Sequence, residues 1–122
     1  MINPNVVEGQ IAGGTVQGIG GVLLEDFPWD DEGNPLATTF VDYLLPTSTE
    51  VPIIEHAHME GSPGPGPGGY KGVGEGGAIG APPAVVNAVA DALAPFGVIV
   101  TRLPLGPSEI IGVLAERRED PS

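Results

Sequence analysis

One carboxylate lies where acid–base chemistry would be possible. Glu75 follows Gly74 and precedes Gly76 and Gly77, directly before a predicted helix. Because glycine carries no side chain, a substrate or cofactor can approach both the carboxylate and the neighbouring backbone. Burial in a slot of this kind raises the pKa of a glutamate towards neutrality and suits it to general-base catalysis. The alternative, which composition alone favours, is a flexible turn with a solvated glutamate.

The same stretch contains a glycine pattern that is typical of nucleotide-binding loops. Gly72, Gly74 and Gly77 satisfy G-x-G-x-x-G, but this pattern indicates a dinucleotide site only after a buried strand. Here a proline- and glycine-rich loop precedes it, so we reject a Rossmann interpretation. A phosphate bound to the amides at the start of the following helix remains open.

Amide side chains could form a second binding surface on the first helix. Gln10, Gly14, Gln17 and Gly21 are spaced by four, three and four residues and therefore share one face. Two amides projecting from a surface flattened by glycine suit a flat ligand with many hydrogen-bonding groups. The alternative, which the sequence alone favours, is tight helix–helix packing through glycine with polar residues at the rim.

Metal ligation by this chain's own side chains is not predicted. His56 and His58 alternate on a predicted strand, with Glu55 and Glu60 near them, but no third ligand follows at a convincing spacing. The acidic stretch over residues 25–32 is predicted to be a solvated turn, and its spacing does not match an EF-hand calcium loop.

These groups must be positioned by short, glycine-interrupted elements. Asn3 as a cap followed by Pro4 predicts a helix to Glu25, and its six glycines require something to pack against the bare backbone. The predicted fold class is α+β: a single domain over residues 1–122, with a short mixed sheet and about three helices. The other predicted elements are strands over 38–45, 53–59 and 98–103, a loop over 61–69, and helices over 82–94, opened by Pro82 and Pro83, and 107–117.

Composition excludes several classes of function. With no cysteine among 122 residues, the chain holds no disulfide, thiolate zinc site or iron–sulfur cluster. A formal charge of -12 argues against nucleic acid or an anionic membrane as a partner. No apolar run approaches the roughly 20 residues of a membrane span, and the first basic residue is Lys71, so no signal peptide is predicted and the expected location is cytoplasmic.

Taken together, the motifs resemble a known family. The chain is similar over roughly residues 2–114 to the C-terminal part of the molybdenum-binding large subunit of the xanthine dehydrogenase family, which includes aldehyde oxidases and aerobic carbon monoxide dehydrogenases. The resemblance rests on Glu8-Gly9-Gln10, Gly13-Gly14, Gln17-Gly18-Ile19-Gly20, Asp42-Tyr43 with Pro46, Lys71-Gly72-Val73-Gly74-Glu75-Gly76-Gly77 and the helix from Asn87 to Ala92.

The resemblance implies roles for particular residues. It implies that Glu75 is the catalytic base beside molybdenum, taking a proton from a metal-bound hydroxyl that attacks an electron-poor carbon. It implies that Gln10 and the Gln17 region contact the pterin, and that the loop at Lys71, Gly72 and Gly74 lies against the same site.

The resemblance also implies cofactors and partners. The expected cofactor is molybdopterin, in bacterial members commonly the cytosine dinucleotide form, with FAD and 2Fe–2S clusters on partner subunits. Large subunits of the family are several times longer than this chain, so the remainder of the large subunit is the first expected partner. The alternative is a truncated or orphan domain without catalysis, which associates with itself as a homo-oligomer or with a partner.

Overall fold

Three α-helices make up the regular structure of this chain. The computed structural model describes residues 1–59 and 61–119. The helices are α1 (Pro4–Leu23), α2 (Gly76–Leu93) and α3 (Pro107–Glu119), and a 3₁₀ turn over Ala94–Phe96 follows α2. The predicted first and last helices are confirmed to within two residues of their expected ends.

Helix α1 begins where its capping residues predict. The side chain of Asn3 accepts a hydrogen bond from the amide of Val6 at 3.2 Å, and Pro4 occupies the first turn. A proline costs nothing there because its missing N–H would have no helical partner. Local sequence therefore sets this end of the helix.

Helices α1 and α2 pack backbone against backbone. A Cβ at Gly14 would lie 2.7 Å from the amide nitrogen of Ala78, and one at Gly18 would lie 2.8 Å from Cδ of Pro82. From the other side, a Cβ at Gly77 would collide with the carbonyl oxygen of Ile11. Any side chain at these glycines would separate the helices, so the predicted need for a packing partner of α1 is confirmed.

Helix α2 begins six residues earlier than predicted. The sequence predicts a start at Pro82, whereas the helix includes Pro82 and Pro83 in its interior. Each internal proline removes one helical hydrogen bond and costs about 3 kcal/mol in an isolated helix. The turn that precedes them is the part of α2 that packs on Gly14, so tertiary contact extends the helix beyond its local start signal.

The predicted mixed sheet is wrong for this chain. Within residues 1–59 and 61–119 the only β-type pairing is an isolated antiparallel bridge between Trp29 and Pro35. The segment over 38–45 instead forms a turn, because Thr39 accepts backbone hydrogen bonds from Asp42 at 3.0 Å and Tyr43 at 2.8 Å. The segments over 53–59 and 98–103 have no neighbouring strand in the described chain with which to pair.

The hydrophobic core is small for a chain of this size. In the described residues it comprises five buried side chains, and the chain exposes 9025 Å² of surface. A folded monomer of 12.4 kDa exposes about 6,100 Å², so this chain exposes far more surface than a typical domain of its mass. The buried side chains are those of Val22, Ala37, Leu93, Val98 and Leu105.

Helix α2 and the 3₁₀ turn after it form a largely exposed apolar stretch. Residues Gly76–Phe96 are long and apolar enough to cross a membrane by length and composition alone, and 11% of this stretch is buried. The sequence predicts no membrane span, so this stretch is more apolar than expected. The close packing of α2 on α1 accounts for the small and apolar residues on the contacting side.

A hydrogen-bonded pair fastens the 38–46 segment to the end of α1. The hydroxyl of Tyr43 donates a short hydrogen bond to the carboxylate of Glu25, and a Cβ at Gly20 would lie 2.6 Å from Oε1 of Glu25 and 2.8 Å from Cδ of Pro46. The hydrogen bond to Glu25, together with desolvation and the negative charge of Glu25, raises the pKa of Tyr43 above that of a free tyrosine.

Neighbouring glycines of α1 provide a matched test of the helix contact. We expect Gly14→Ala to lower the midpoint of thermal unfolding, because its Cβ would press on the backbone of α2. We expect Gly13→Ala to leave it unchanged or raise it, because nothing lies within 4 Å of that position and alanine favours a helix by about 1 kcal/mol over glycine. Circular dichroism measures both; equal effects would contradict the packing.

The Tyr43–Glu25 pair predicts a loss of stability at high pH. A phenol whose pKa is raised by folding stabilises the chain below its unfolded pKa, and this contribution is lost as the pH rises through the folded pKa. We expect the thermal midpoint to fall above about pH 10. The Tyr43→Phe variant should lack that part of the pH dependence, and an unchanged alkaline profile would disprove the pairing.

Candidate cofactor-binding site

Glu75 occupies the N-terminal end of α2. Its backbone (φ −103°, ψ −8°) leads into the helix, and its carbonyl accepts a hydrogen bond from the amide of Ile79 at 3.0 Å. Its side chain makes no capping hydrogen bond and is exposed. Within the described residues the carboxylate is therefore open to solvent, as in the alternative of a solvated glutamate, and the glycines beside it form an open ledge.

The structure brings the two candidate constellations together at Gln10. A Cβ built on Gly74 would lie 3.5 Å from Nε2 of Gln10, so the amide of α1 stands over the residue that precedes Glu75. Gln10 is exposed, which leaves its remaining hydrogen-bonding capacity available to a ligand. A pterin-type ring, which presents several donors and acceptors, suits this group.

Three glycines around Glu75 have no structural reason to be glycine within this chain. A Cβ at Gly72 or Gly76 would meet nothing within 4 Å, and the one at Gly74 would make an ordinary contact with Gln10. None of the three has the left-handed backbone that favours glycine. Bare backbone at these positions permits the close approach of a group from outside the chain.

The first turn of α2 adds unpaired amide donors to this ledge. The leading N–H groups of an α-helix have no partner within the helix, and the side chain of Glu75 does not cap them. Gly76, the first residue of the helix, is exposed. Gly76 was not among the site residues predicted from the sequence, although it directly follows Glu75. The pair of glycines after Glu75, Gly76 and Gly77, was the sequence feature that could have indicated it.

Lys71 is placed at the base of the preceding loop. Its Nζ lies 3.6 Å from the position of a Cβ on Gly61. The amide of Gly64 donates to the carbonyl of Gly69 at 2.9 Å and closes the loop between them. The predicted loop over 61–69 is thus confirmed. Lys71 follows this loop and directly precedes Gly72, the first of the glycines around Glu75.

Gln17 lies about 10 Å farther along α1 than Gln10, because α-helical residues rise 1.5 Å each. Both side chains are exposed. Gly14, which shares their face in the sequence pattern, is buried against α2, so helix packing through glycine, the alternative that the sequence favours, is confirmed at this position. Gly13 and Gly21 are exposed with nothing within 4 Å, so they flatten the surface beside the two glutamines.

The histidines and the acidic turn do not form a metal site. The described residues contain no group of three or more histidine, cysteine or acidic side chains that could hold a metal. His58 lies 3.9 Å from Glu8, and Glu60 falls outside the described residues. The carboxylate of Asp30 accepts bonds from the side chain and the backbone of Asn34, and these lower the pKa of Asp30.

Comparison with known proteins shows which family the chain belongs to. A model for "Molybdopterin cofactor-binding domain" matches residues 1–52. The chain is 48% identical over 111 residues to the nicotine 6-hydroxylase large subunit of Paenarthrobacter nicotinovorans, covering 91% of the chain and 14% of that protein. It is 41% identical over 104 residues to the carbon monoxide dehydrogenase large chain of Hydrogenophaga pseudoflava, covering 84% and 13%.

A solved structure agrees with these sequence matches. Quinoline 2-oxidoreductase from Pseudomonas putida 86 superposes with a TM-score of 0.91 at 50% identity, over 96% of this chain and 15% of that one. The chain belongs to the molybdenum hydroxylase large-subunit family. The resemblance inferred from the motifs is confirmed, and the chain spans about one seventh of the length of these relatives.

The contact between Gln10 and the ledge can be tested without the cofactor. We expect Gln10→Ala to shift the backbone amide NMR signals of Gly74 and Glu75, because it removes the amide that stands over them. Gln17→Ala is the matched control, and it should leave those two signals unchanged. Signals that respond equally to both variants, or to neither, would show that Gln10 does not contact the ledge.

Proposed function

We propose that this chain supplies the catalytic glutamate and part of the pterin-binding surface of a molybdenum hydroxylase. One observation carries the proposal: Glu75 lies between glycines whose backbone this chain leaves uncovered, at 72, 74 and 76. The side-chain amide of Gln10 lies next to them, over Gly74. Family membership supports it, since the relatives are named as a hydroxylase, a dehydrogenase and an oxidoreductase. Those names favour catalysis over a non-catalytic association module.

The donor set of the ledge fits a molybdopterin cofactor. Gln10 and Gln17 offer amides that both donate and accept hydrogen bonds to a heterocyclic ring. The backbone at Gly72, Gly74 and Gly76 offers N–H groups without side-chain cover, and the start of α2 favours an anionic phosphate. Lys71 places one of the chain's four basic residues beside this surface.

In this proposal Glu75 performs the proton transfer. When bound, the cofactor supplies the metal centre that takes up the electrons removed from the substrate. The Glu75 carboxylate accepts the proton of the oxygen nucleophile as this oxygen attacks the substrate carbon. Gly74 and Gly76 leave room for the substrate and the nucleophile to reach the carboxylate. A positioned general base of this kind contributes about 10²- to 10⁴-fold to the rate.

The whole protein has more parts than this chain. We propose that the chain is the C-terminal piece of a large subunit, that the remaining large subunit covers its exposed surface, and that FAD and 2Fe–2S clusters reside on partner subunits. The cytosine dinucleotide form of the cofactor and a cytoplasmic location belong to the same proposal. The substrate class is an electron-poor carbon, as in carbon monoxide, aldehydes, purines or other N-heterocycles.

The decisive experiment replaces Glu75 in the assembled enzyme. We expect Glu75→Gln to lower turnover at least a hundred-fold while the molybdenum content stays that of the parent, because the amide keeps the size of the side chain but cannot accept the proton. Glu32→Gln, in the exposed turn after Asp30, is the matched control and should retain turnover.

Two outcomes would refute this role. Near-normal turnover of the Glu75→Gln enzyme would show that another group is the base. Loss of molybdenum from this variant, but not from Glu32→Gln, would assign Glu75 to cofactor retention instead. Elemental analysis and steady-state kinetics on the same preparations separate the two.

A further inference from the structure

The loop over residues 61–69 is closed on itself. The amide of Gly64 donates to the carbonyl of Gly69 at 2.9 Å, and the amide of Gly69 donates to the carbonyl of Gly66 at 3.0 Å. Gly68 and Gly69 have the left-handed backbone that favours glycine, with φ of 85° and 70°. The loop is therefore a folded turn held by its own hydrogen bonds, and not an extended linker.

Tyr70 and Lys71 pack on the glycines of this loop. A Cβ built on Gly68 would lie 2.5 Å from Cε2 and 2.7 Å from Cζ of Tyr70, so the ring of Tyr70 lies against that bare backbone. A Cβ built on Gly64 would collide with the carbonyl oxygen of Tyr70 and would lie 3.3 Å from Cγ of Lys71. While these contacts are kept, both positions admit only glycine. The loop therefore holds the two residues that follow it.

The glycine ledge over residues 72–76 has little of its own to hold it in place. Glycine occupies three of its five positions, and glycine restricts the backbone less than any other residue. Within the described part of the chain, Tyr70, Lys71 and Gly72 make no backbone hydrogen bond. The far end of the ledge is fixed by Gly77, which lies in the contact between α1 and α2. The near end is left to the loop that precedes it.

From these contacts we propose that Tyr70 is a positioning residue: its ring, held on Gly68, fixes the near end of the ledge and thereby the place of Glu75. This rests on the proposed function, in which Glu75 is the general base. A general base acts only within hydrogen-bonding reach of the proton that it accepts, and a displacement of about 1 Å lowers a rate by about 100-fold. A base on a glycine-rich segment therefore requires that both ends of the segment are held.

Kinetics of the assembled enzyme test the role of the ring. We expect Tyr70→Ala to lower kcat about ten-fold or more, while KM and the molybdenum content stay those of the parent, because the carboxylate is still present but no longer held in place. Tyr70→Phe keeps the ring and should keep the kcat of the parent. Loss of molybdenum from Tyr70→Ala, or a Tyr70→Phe enzyme as slow as Tyr70→Ala, would overturn the positioning role.

Two glycines of the same loop provide a matched pair of variants. Gly68→Ala places a methyl group against the Tyr70 ring and a side chain on a left-handed backbone, so we expect it to lower kcat as Tyr70→Ala does. Gly66→Ala is the control and should keep the kcat of the parent, because nothing lies within 4 Å of its Cβ and its φ is not positive. Since Gly68 and Tyr70 act through one contact, their double variant should lose less than the product of the two separate effects. Equal kcat values for Gly66→Ala and Gly68→Ala would contradict the proposal.

Backbone order separates this positioning role from the proposed catalysis. NMR relaxation of the chain alone should show that the order parameters of Gly72 and Gly74 fall below about 0.6 in Tyr70→Ala and stay those of the parent in Gly66→Ala. Lower order in Tyr70→Ala together with undiminished turnover of Glu75→Gln would sustain the anchoring of the ledge and reject the base. Unchanged order together with lost turnover of Glu75→Gln would do the reverse.

Discussion

The contact between the backbones of α1 and α2 is the constraint on which the rest of the structure depends. Gly14 and Gly18 on one helix and Gly77 on the other allow an approach that any side chain would prevent. This contact sets where α2 begins, and Glu75 is the residue at that beginning. The candidate base is therefore positioned by packing two residues away from it, and Gln10 is brought to Gly74 by the same approach.

Two groups of glycines serve different physical purposes in this chain. The glycines between the helices are required by the chain itself, since a Cβ would meet backbone atoms. The glycines at 72, 74 and 76 are not, since a Cβ would meet open space or the end of the Gln10 side chain. This difference cannot be read from the sequence, where both groups appear as glycine-rich helix or loop. It distinguishes the glycines that pack the two helices from those that leave backbone open to a group from outside the chain.

The large hydrophobic side chains that this chain exposes also bear on its function. Only five hydrophobic side chains are buried in the described residues, while Phe40, Val41, Ile53 and Met59 are each more than three-quarters exposed. The chain spans about one seventh of the length of its relatives, and in the proposed assembly the rest of the large subunit would cover such side chains. Glu75 is exposed in the same way, and residues 53–59 have no neighbouring strand within the described residues. In the proposed assembly, burial of the site would come from the rest of the large subunit.

The sequence by itself determined the starts of α1 and α3, their far ends to within two residues, the loop over 61–69 and the family, because caps, prolines and motif spacing act locally or as fixed patterns. It also indicated Glu75 and Gln10 as candidate site residues. Only the tertiary structure decided that α2 begins at Gly76, that Gly14 is buried, and that Gln10 meets Gly74. Each of these depends on the distance between two helix backbones far apart in the chain. The predicted strands failed for the same reason: a strand requires a neighbour, and β propensity within one segment does not supply it.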